Sequence, residues 1–236
     1  MCVERVMFKR EAEMAPSVAR WMTRENLLTK AEFATPFGIC DLVGVTFRPD
    51  RVAHRIRLRQ TRPIASFTRA SILQLIPDVD TGRRIKALSV FKTLAATLPG
   101  DIIAAEIERL VRDRFVVWRG KTCLQKVNGW APLHRRIVAV ELKLARVEDA
   151  LAQAKAHLAF ADESYVGLPA AIAARVHETP TRWARYWDLG VGLLAVTKSQ
   201  CRILRPSSPL PTSQDEALQI YIVDKFWREG SEAVKH

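Results

Sequence analysis

The run Ile137-Val138-Ala139-Val140-Glu141-Leu142-Lys143-Leu144 constrains this chain more than any other stretch. Its apolar, β-branched character reads as a strand. Successive strand residues point to opposite faces, so Val138, Val140, Leu142 and Leu144 make one apolar face while Glu141 and Lys143 share the other. A carboxylate and an ammonium placed inside a sheet cost free energy unless they pair or bind something. Two readings follow: a strand charged for a task, or a partly exposed edge strand with an incidental ion pair.

A second interrupted strand lies upstream, in Gly38-Ile39-Cys40-Asp41-Leu42-Val43-Gly44-Val45. Here Asp41 alone breaks the apolar pattern. If the two strands lie side by side, Asp41 and Glu141 meet, with Lys143 beside them. Carboxylates that close repel one another unless a divalent cation sits between them. Mg²⁺ is held by one or two carboxylates plus waters and a substrate phosphate, and it activates water. A neighbouring lysine can orient that water or offset developing charge.

An isolated Asp, a distant Glu-x-Lys on an adjoining strand and a following helix resemble the core pattern of the PD-(D/E)XK nuclease superfamily. The downstream order adds to the likeness: Ala150-Leu151-Ala152-Gln153-Ala154, then Ala161-Asp162, Tyr165-Val166, Leu168-Pro169 and Gly190-Val191-Gly192-Leu193-Leu194. The resemblance covers about residues 20–45 and 135–205. It implies a restriction-endonuclease-like α/β core, a mixed sheet flanked by helices, and Mg²⁺- or Mn²⁺-dependent hydrolysis of DNA phosphodiesters. Carried over, Asp41 and Glu141 are metal ligands, Lys143 is the catalytic lysine and Gln153 assists. Glu32 stands where the superfamily often has a further acid, and it reads equally as a solvated residue. Some members carry tyrosine four residues after the glutamine; this chain has His157. Gln153 and His157 share a helix face by spacing, facing either a phosphate or water. Pro36 precedes Asp41 by five residues instead of adjoining it.

Charge points to the same class of partner. The 37 Lys and Arg exceed the 25 Asp and Glu, a formal net charge of +12, which favours binding to a phosphate backbone. Arg48, Arg51, Arg55, Arg57, Arg59 and Arg62 crowd a stretch whose one acid is Asp50. The alternation of Arg55, Arg57 and Arg59 with Ile56 and Leu58 predicts a strand with an arginine face for DNA. No apolar run approaches the roughly 20 residues of a membrane span. Cys2, Cys40, Cys123 and Cys201 are far apart and form no Cys-x-x-Cys, so neither a disulfide framework nor a zinc site is expected, and a reducing cytoplasm is.

Between the two charged strands, helices are predicted over residues 68–78, 83–96 and 102–112, the second with Ile85, Leu88, Phe91 and Leu94 inward. Phe115–Trp118 and Thr122–Val127 then flank a turn at Arg119-Gly120-Lys121. Three helices and a basic-tipped hairpin have the outline of a winged helix, with Arg119 and Lys121 on phosphate, or of a helical packing insertion. The expected organisation is a discontinuous core (1–60 and 132–206), an insertion (61–131), and an arm with a final helix (207–236). That helix is capped at Ser213 and ends near Glu229, before Gly230. Trp183, Tyr186 and Trp187 suit core packing better than base stacking. The expected function is a DNA nuclease, with cleavage of both strands favouring a homodimer. The alternative is a non-cutting, regulator-like DNA-binding protein on the same scaffold.

Overall fold

The computed structural model describes residues 8–64, 66–127, 133–208 and 214–233. In chain order the elements are α1 (Ala15–Arg24), β1 (Leu28–Thr35), β2 (Gly38–Phe47), α2 (Pro49–Arg57), α3 (Phe67–Leu75), β3 (Ile85–Lys86), α4 (Ala87–Leu94), α5 (Gly100–Arg112), β4 (Val116–Arg119), β5 (Cys123–Lys126), β6 (His134–Leu142), α6 (Val147–His157), β7 (Glu163–Pro169), α7 (Ala170–Glu178), α8 (Ala184–Trp187), β8 (Gly192–Val196), β9 (Cys201–Arg205) and α9 (Glu216–Ala233). The chain forms two compact units, Met1–Thr46 with His134–Asp215 and Phe47–Leu133 with Glu216–His236. Residues 47–60, expected in the core, fall in the second unit, and so does the final helix.

The first unit is built on a mixed six-stranded sheet in the order β1-β2-β6-β7-β8-β9. Strands β6, β7 and β8 run parallel, while β1 pairs with β2 and β8 with β9 in antiparallel fashion. Helix α1 covers one face through Val18, Trp21 and Met22, against Val138, Val140, Leu142 and Leu194. Helices α6, α7 and α8, with the 3₁₀ turn Pro180–Trp183 between the last two, cover the other, packing Leu151, Val176, Trp183, Tyr186 and Trp187 on Val166, Leu168 and Leu193. Burial on both faces explains why β6 through β8 read as nearly continuous apolar runs. It also removes the edge-strand reading of β6, which lies between β2 and β7.

Two aspartates fix β6 along its length. Asp162 Oδ2 accepts from the Ile137 N–H at 2.7 Å near the start, and Asp41 Oδ2 accepts from the Leu142 N–H at 2.7 Å at the end. Ser164 Oγ donates to the Ala154 carbonyl at 2.7 Å, tying β7 to α6. Arg136 forms a two-pronged pair with Glu163 (2.6 and 2.9 Å), and the Tyr165 hydroxyl donates to the same carboxylate at 2.6 Å.

The second unit gathers α3, α5 and α9 with a three-stranded sheet in the order β3-β5-β4. Its core includes Ile64, Leu73, Ile103, Ile107, Leu110, Phe115, Leu124 and Ile220. Three expectations are corrected here. The arginine-rich stretch is helical, because Pro49 opens α2 with its ring-fixed φ and the helix runs on to Arg57, leaving Ile56 53% exposed. The helix expected from Arg83 begins only at Ala87, since Ile85 and Lys86 pair with Leu124 and Cys123; Leu88 is consequently 63% exposed. The last helix continues through Gly230 to Ala233, and its expected cap, Ser213, lies outside the described residues.

Arg55 does not face outward. Its guanidinium is buried, with Nη1 donating to Asp224 Oδ1 at 2.7 Å and Nη2 to Oδ2 at 3.2 Å. It also lies over the Phe115 and Trp227 rings, at 5.0 and 4.7 Å from their centroids. Helical geometry turns Arg55 inward and leaves Arg57 exposed, and Arg59 and Arg62, past the end of α2, are exposed as well.

Candidate active site

Glu141 is 1% exposed and Lys143 8%, so both charges of the Glu-x-Lys run are inside the protein. Their two-residue spacing puts them on the same side of the chain, and Lys143 Nζ donates to Glu141 Oε1 at 2.8 Å. The backbone N–H of Lys143 donates to the Gly167 carbonyl at 3.2 Å, holding it to β7 just past the end of β6. Asp41 stands on the neighbouring strand, its carboxylate anchored by the Leu142 N–H between the two charged residues. The structure therefore brings Asp41, Glu141 and Lys143 together.

A third carboxylate joins them from a part of the chain where no site residue was expected. Glu11 opens a short 3₁₀ turn ahead of α1 (Glu11–Glu13). Its Oε2 lies 3.5 Å from Lys143 Nζ, and its Oε1 accepts from the Leu144 N–H at 3.4 Å. Three acids thus surround one ammonium, an excess of negative charge suited to a divalent cation. The sequence offers no signal for Glu11, because an acid in the first turn of a helix is ordinarily there for the helix dipole.

The expected accessory residues fare differently. Glu32 stands opposite Asp41 in the register between Ala31↔Leu42 and Phe33↔Cys40. It is exposed, and its backbone takes the left-handed φ of 50° that few non-glycine residues adopt. Its charge reaches Asp41. Gln153 is exposed on α6 and has no hydrogen-bond partner among the described residues. His157, one turn on, is buried, so the two do not present a common face to a ligand. Its ring nitrogen Nδ1 lies 3.7 Å from Cys40 Sγ.

Electrostatics follow from burial. Desolvation raises the Glu141 carboxyl above the usual range; the Lys143 hydrogen bond opposes this and the Asp41 charge adds to it. Desolvation also raises Asp41, against the Leu142 hydrogen bond and the Lys143 charge. Burial works to lower Lys143, but its hydrogen bond to Glu141 and the surrounding carboxylates outweigh it, so the ammonium is held above its ordinary value. Burial pushes the Cys40 thiol well up and holds His157 down to about 4, a neutral imidazole at physiological pH. Glu141 Oε2 is buried and has no hydrogen-bond partner.

The arrangement gathers carboxylates from two neighbouring strands and a third acid from the N-terminal turn around Lys143, with one Glu141 oxygen left without a hydrogen-bond partner. No known family model, curated protein or solved structure matches this chain. No described helix is long and apolar enough to cross a membrane.

Proposed function

We propose that this chain is a divalent-metal-dependent nuclease of the PD-(D/E)XK type, hydrolysing phosphodiester bonds of DNA. The observation that carries this reading is Lys143, held between Glu141 and Glu11 beside an Asp41 locked to the backbone of the same strand. A sheet interior has no packing need for the buried Glu141 and Lys143, whose burial costs free energy that apolar residues would not. The order α1-β1-β2, then β6-α6-β7 after an insertion, supports a restriction-endonuclease-like core.

In this reading Asp41 and Glu141 hold Mg²⁺ or Mn²⁺, with Glu11 as the nearest further acid and Glu32 at the rim. The ion, when bound, lowers the pKa of a water and offsets charge on the phosphate. Lys143 keeps its proton and directs a point charge at the attacking water or the scissile phosphate, a contribution of positioning and electrostatics. The two anchoring hydrogen bonds to β6 hold these groups in place before substrate arrives.

The second unit supports a DNA partner. Its order of helix α3, strand β3, helices α4 and α5 and hairpin β4–β5, with β3 beside β5, supports the reading of a winged helix. Arg119 and Lys121 are exposed at the hairpin tip, where they would meet phosphate. The same feature favours a second reading, in which the chain binds DNA without cutting it.

The deciding experiment is cleavage of plasmid and single-stranded DNA with Mg²⁺ or Mn²⁺, wild type beside Lys143→Ala. Metal-dependent cutting lost in the variant supports the nuclease. Salt-sensitive DNA binding with no cutting of any substrate supports the binding reading.

A further inference from the structure

Behind the Glu141–Lys143 pair lies a second set of ligand groups, of which the nuclease reading uses only Glu141. Cys40 on β2, Glu141 on β6 and His157 at the end of α6 each offer one atom, and these atoms lie within 4.8 Å of one another. All three residues are buried, and the one Glu141 oxygen without a hydrogen-bond partner is Oε2. Cys40 makes weak contacts with the Leu42 and Val140 carbonyls, at 3.3 and 3.6 Å from its sulfur, and with His157 Nδ1 at 3.7 Å. An unpaired carboxylate oxygen, a thiol and an imidazole enclosed together form a poor hydrogen-bonding group and a good ligand set.

We propose that Cys40, Glu141 and His157 form a binding site for a thiophilic divalent cation of the zinc class. Thiolate, imidazole and carboxylate are the ligands such an ion takes, and three of them leave a fourth position open. The charges suit a buried place, since one thiolate and one carboxylate neutralise a divalent ion exactly once each. Binding as the thiolate releases the Cys40 proton to solvent. The spacing rule that set zinc aside in the sequence weighed cysteine pairs only, whereas these ligands come from three separate elements. Glu141 belongs to both ligand sets, so a soft ion at Cys40 and His157 draws it away from Asp41. The consequence that zinc suppresses DNA cleavage rests on the nuclease reading; the site itself does not.

The test is titration of the metal-free full chain with Co²⁺, read by the thiolate-to-cobalt charge-transfer band in the near ultraviolet, together with the melting temperature in Zn²⁺. The expected result is a band saturating at one equivalent and a melting temperature raised by about 5 °C or more with zinc well above its dissociation constant. Cys40→Ser should abolish the band, and Asp41→Asn should keep it while ending any Mg²⁺-dependent cutting. His157→Gln should weaken Co²⁺ binding at least about tenfold, which keeps the test open if Cys40→Ser fails to fold. No band in the wild type, a band that survives Cys40→Ser, loss of the band in Asp41→Asn, or unchanged affinity in His157→Gln would each overturn the assignment. None of these overturning outcomes depends on nuclease activity, so the site and the nuclease reading fail separately.

Discussion

Glu11 lies 3.5 Å from Lys143, its carboxylate reaching from the turn before α1 to the end of β6. Its other oxygen receives the Leu144 N–H, so the same side chain contacts the lysine and the backbone that carries it. Glu11 is thereby placed to adjust both the charge and the position of Lys143. Glu11→Gln keeps the shape and removes the charge. The expected outcome is a rise of about tenfold in the Mg²⁺ concentration giving half-maximal cleavage, with DNA affinity unchanged. Measuring cleavage rate against metal concentration checks this; an unaltered metal dependence would exclude Glu11 from the site.

In the proposed nuclease, the Glu141–Lys143 pair sets stability and activity against each other. Lys143→Ala leaves a buried carboxylate without its main partner, and a loss of about 3 kcal/mol is expected from urea unfolding. Replacing both charges, Glu141→Leu with Lys143→Met, should recover most of that loss while leaving no cleavage. A double variant as unstable as the single one would show that the pair holds the strand in place more than it burdens it.

The direction of the carboxylate shifts gives a pH dependence. Asp41 and Glu141 titrate higher in the folded chain than in the unfolded one, so the folded state binds the extra protons. Without metal, their burial costs stability that is fully felt above the raised folded values and vanishes below about pH 4, where both states are protonated. Asp41→Asn should therefore stabilise the metal-free protein at neutral pH and not in acid. Thermal melts across that range, with and without Mg²⁺, test both the sign and its removal by the ion.

In the second unit, buried and exposed arginines should separate cleanly. Arg55→Ala strands Asp224 in the interior and should cost about 3 kcal/mol or more. Its effect on DNA binding by folded protein should be negligible. Arg119→Ala and Lys121→Ala should leave stability within about 0.5 kcal/mol and each reduce the salt dependence of DNA binding by about one counterion. Binding isotherms at several salt concentrations distinguish the two outcomes.

Gly192 marks a close approach in the sheet. A Cβ there would press on the Tyr165 ring and come within 2.8 Å of the Ser207 backbone nitrogen. The ring can shift and the backbone cannot, so Gly192→Ala should destabilise by about 1–3 kcal/mol. Chemical denaturation measures it directly.

The charged β6 and the hairpin around Gly120 could be read from the chain, because each writes its period or its turn into a short window. Asp41 could be read for the same reason, as one carboxylate in an apolar run. Glu11 could not, since its role depends on Lys143 and nothing near it departs from an ordinary helix start. Arg55 was misread because an alternating pattern of five residues fits a strand as well as the last turn of a helix, and Pro49 decided the matter from upstream. Gln153 and His157 share helical spacing, yet α6 is rotated so that one is wet and the other dry.

Strands β2 and β6 are neighbours in the sheet, but residues 47–133 are spent on another unit before the chain returns. Joining them through an unfolded span of that length carries a large closure entropy, which falls once the intervening segment is compact. Asp41 and the Leu142 backbone accordingly meet late in the life of a newly made chain. On the proposed nuclease reading, a ribosome-bound or half-folded molecule would own every site residue and still lack the assembled site, so cleavage would wait until folding is complete.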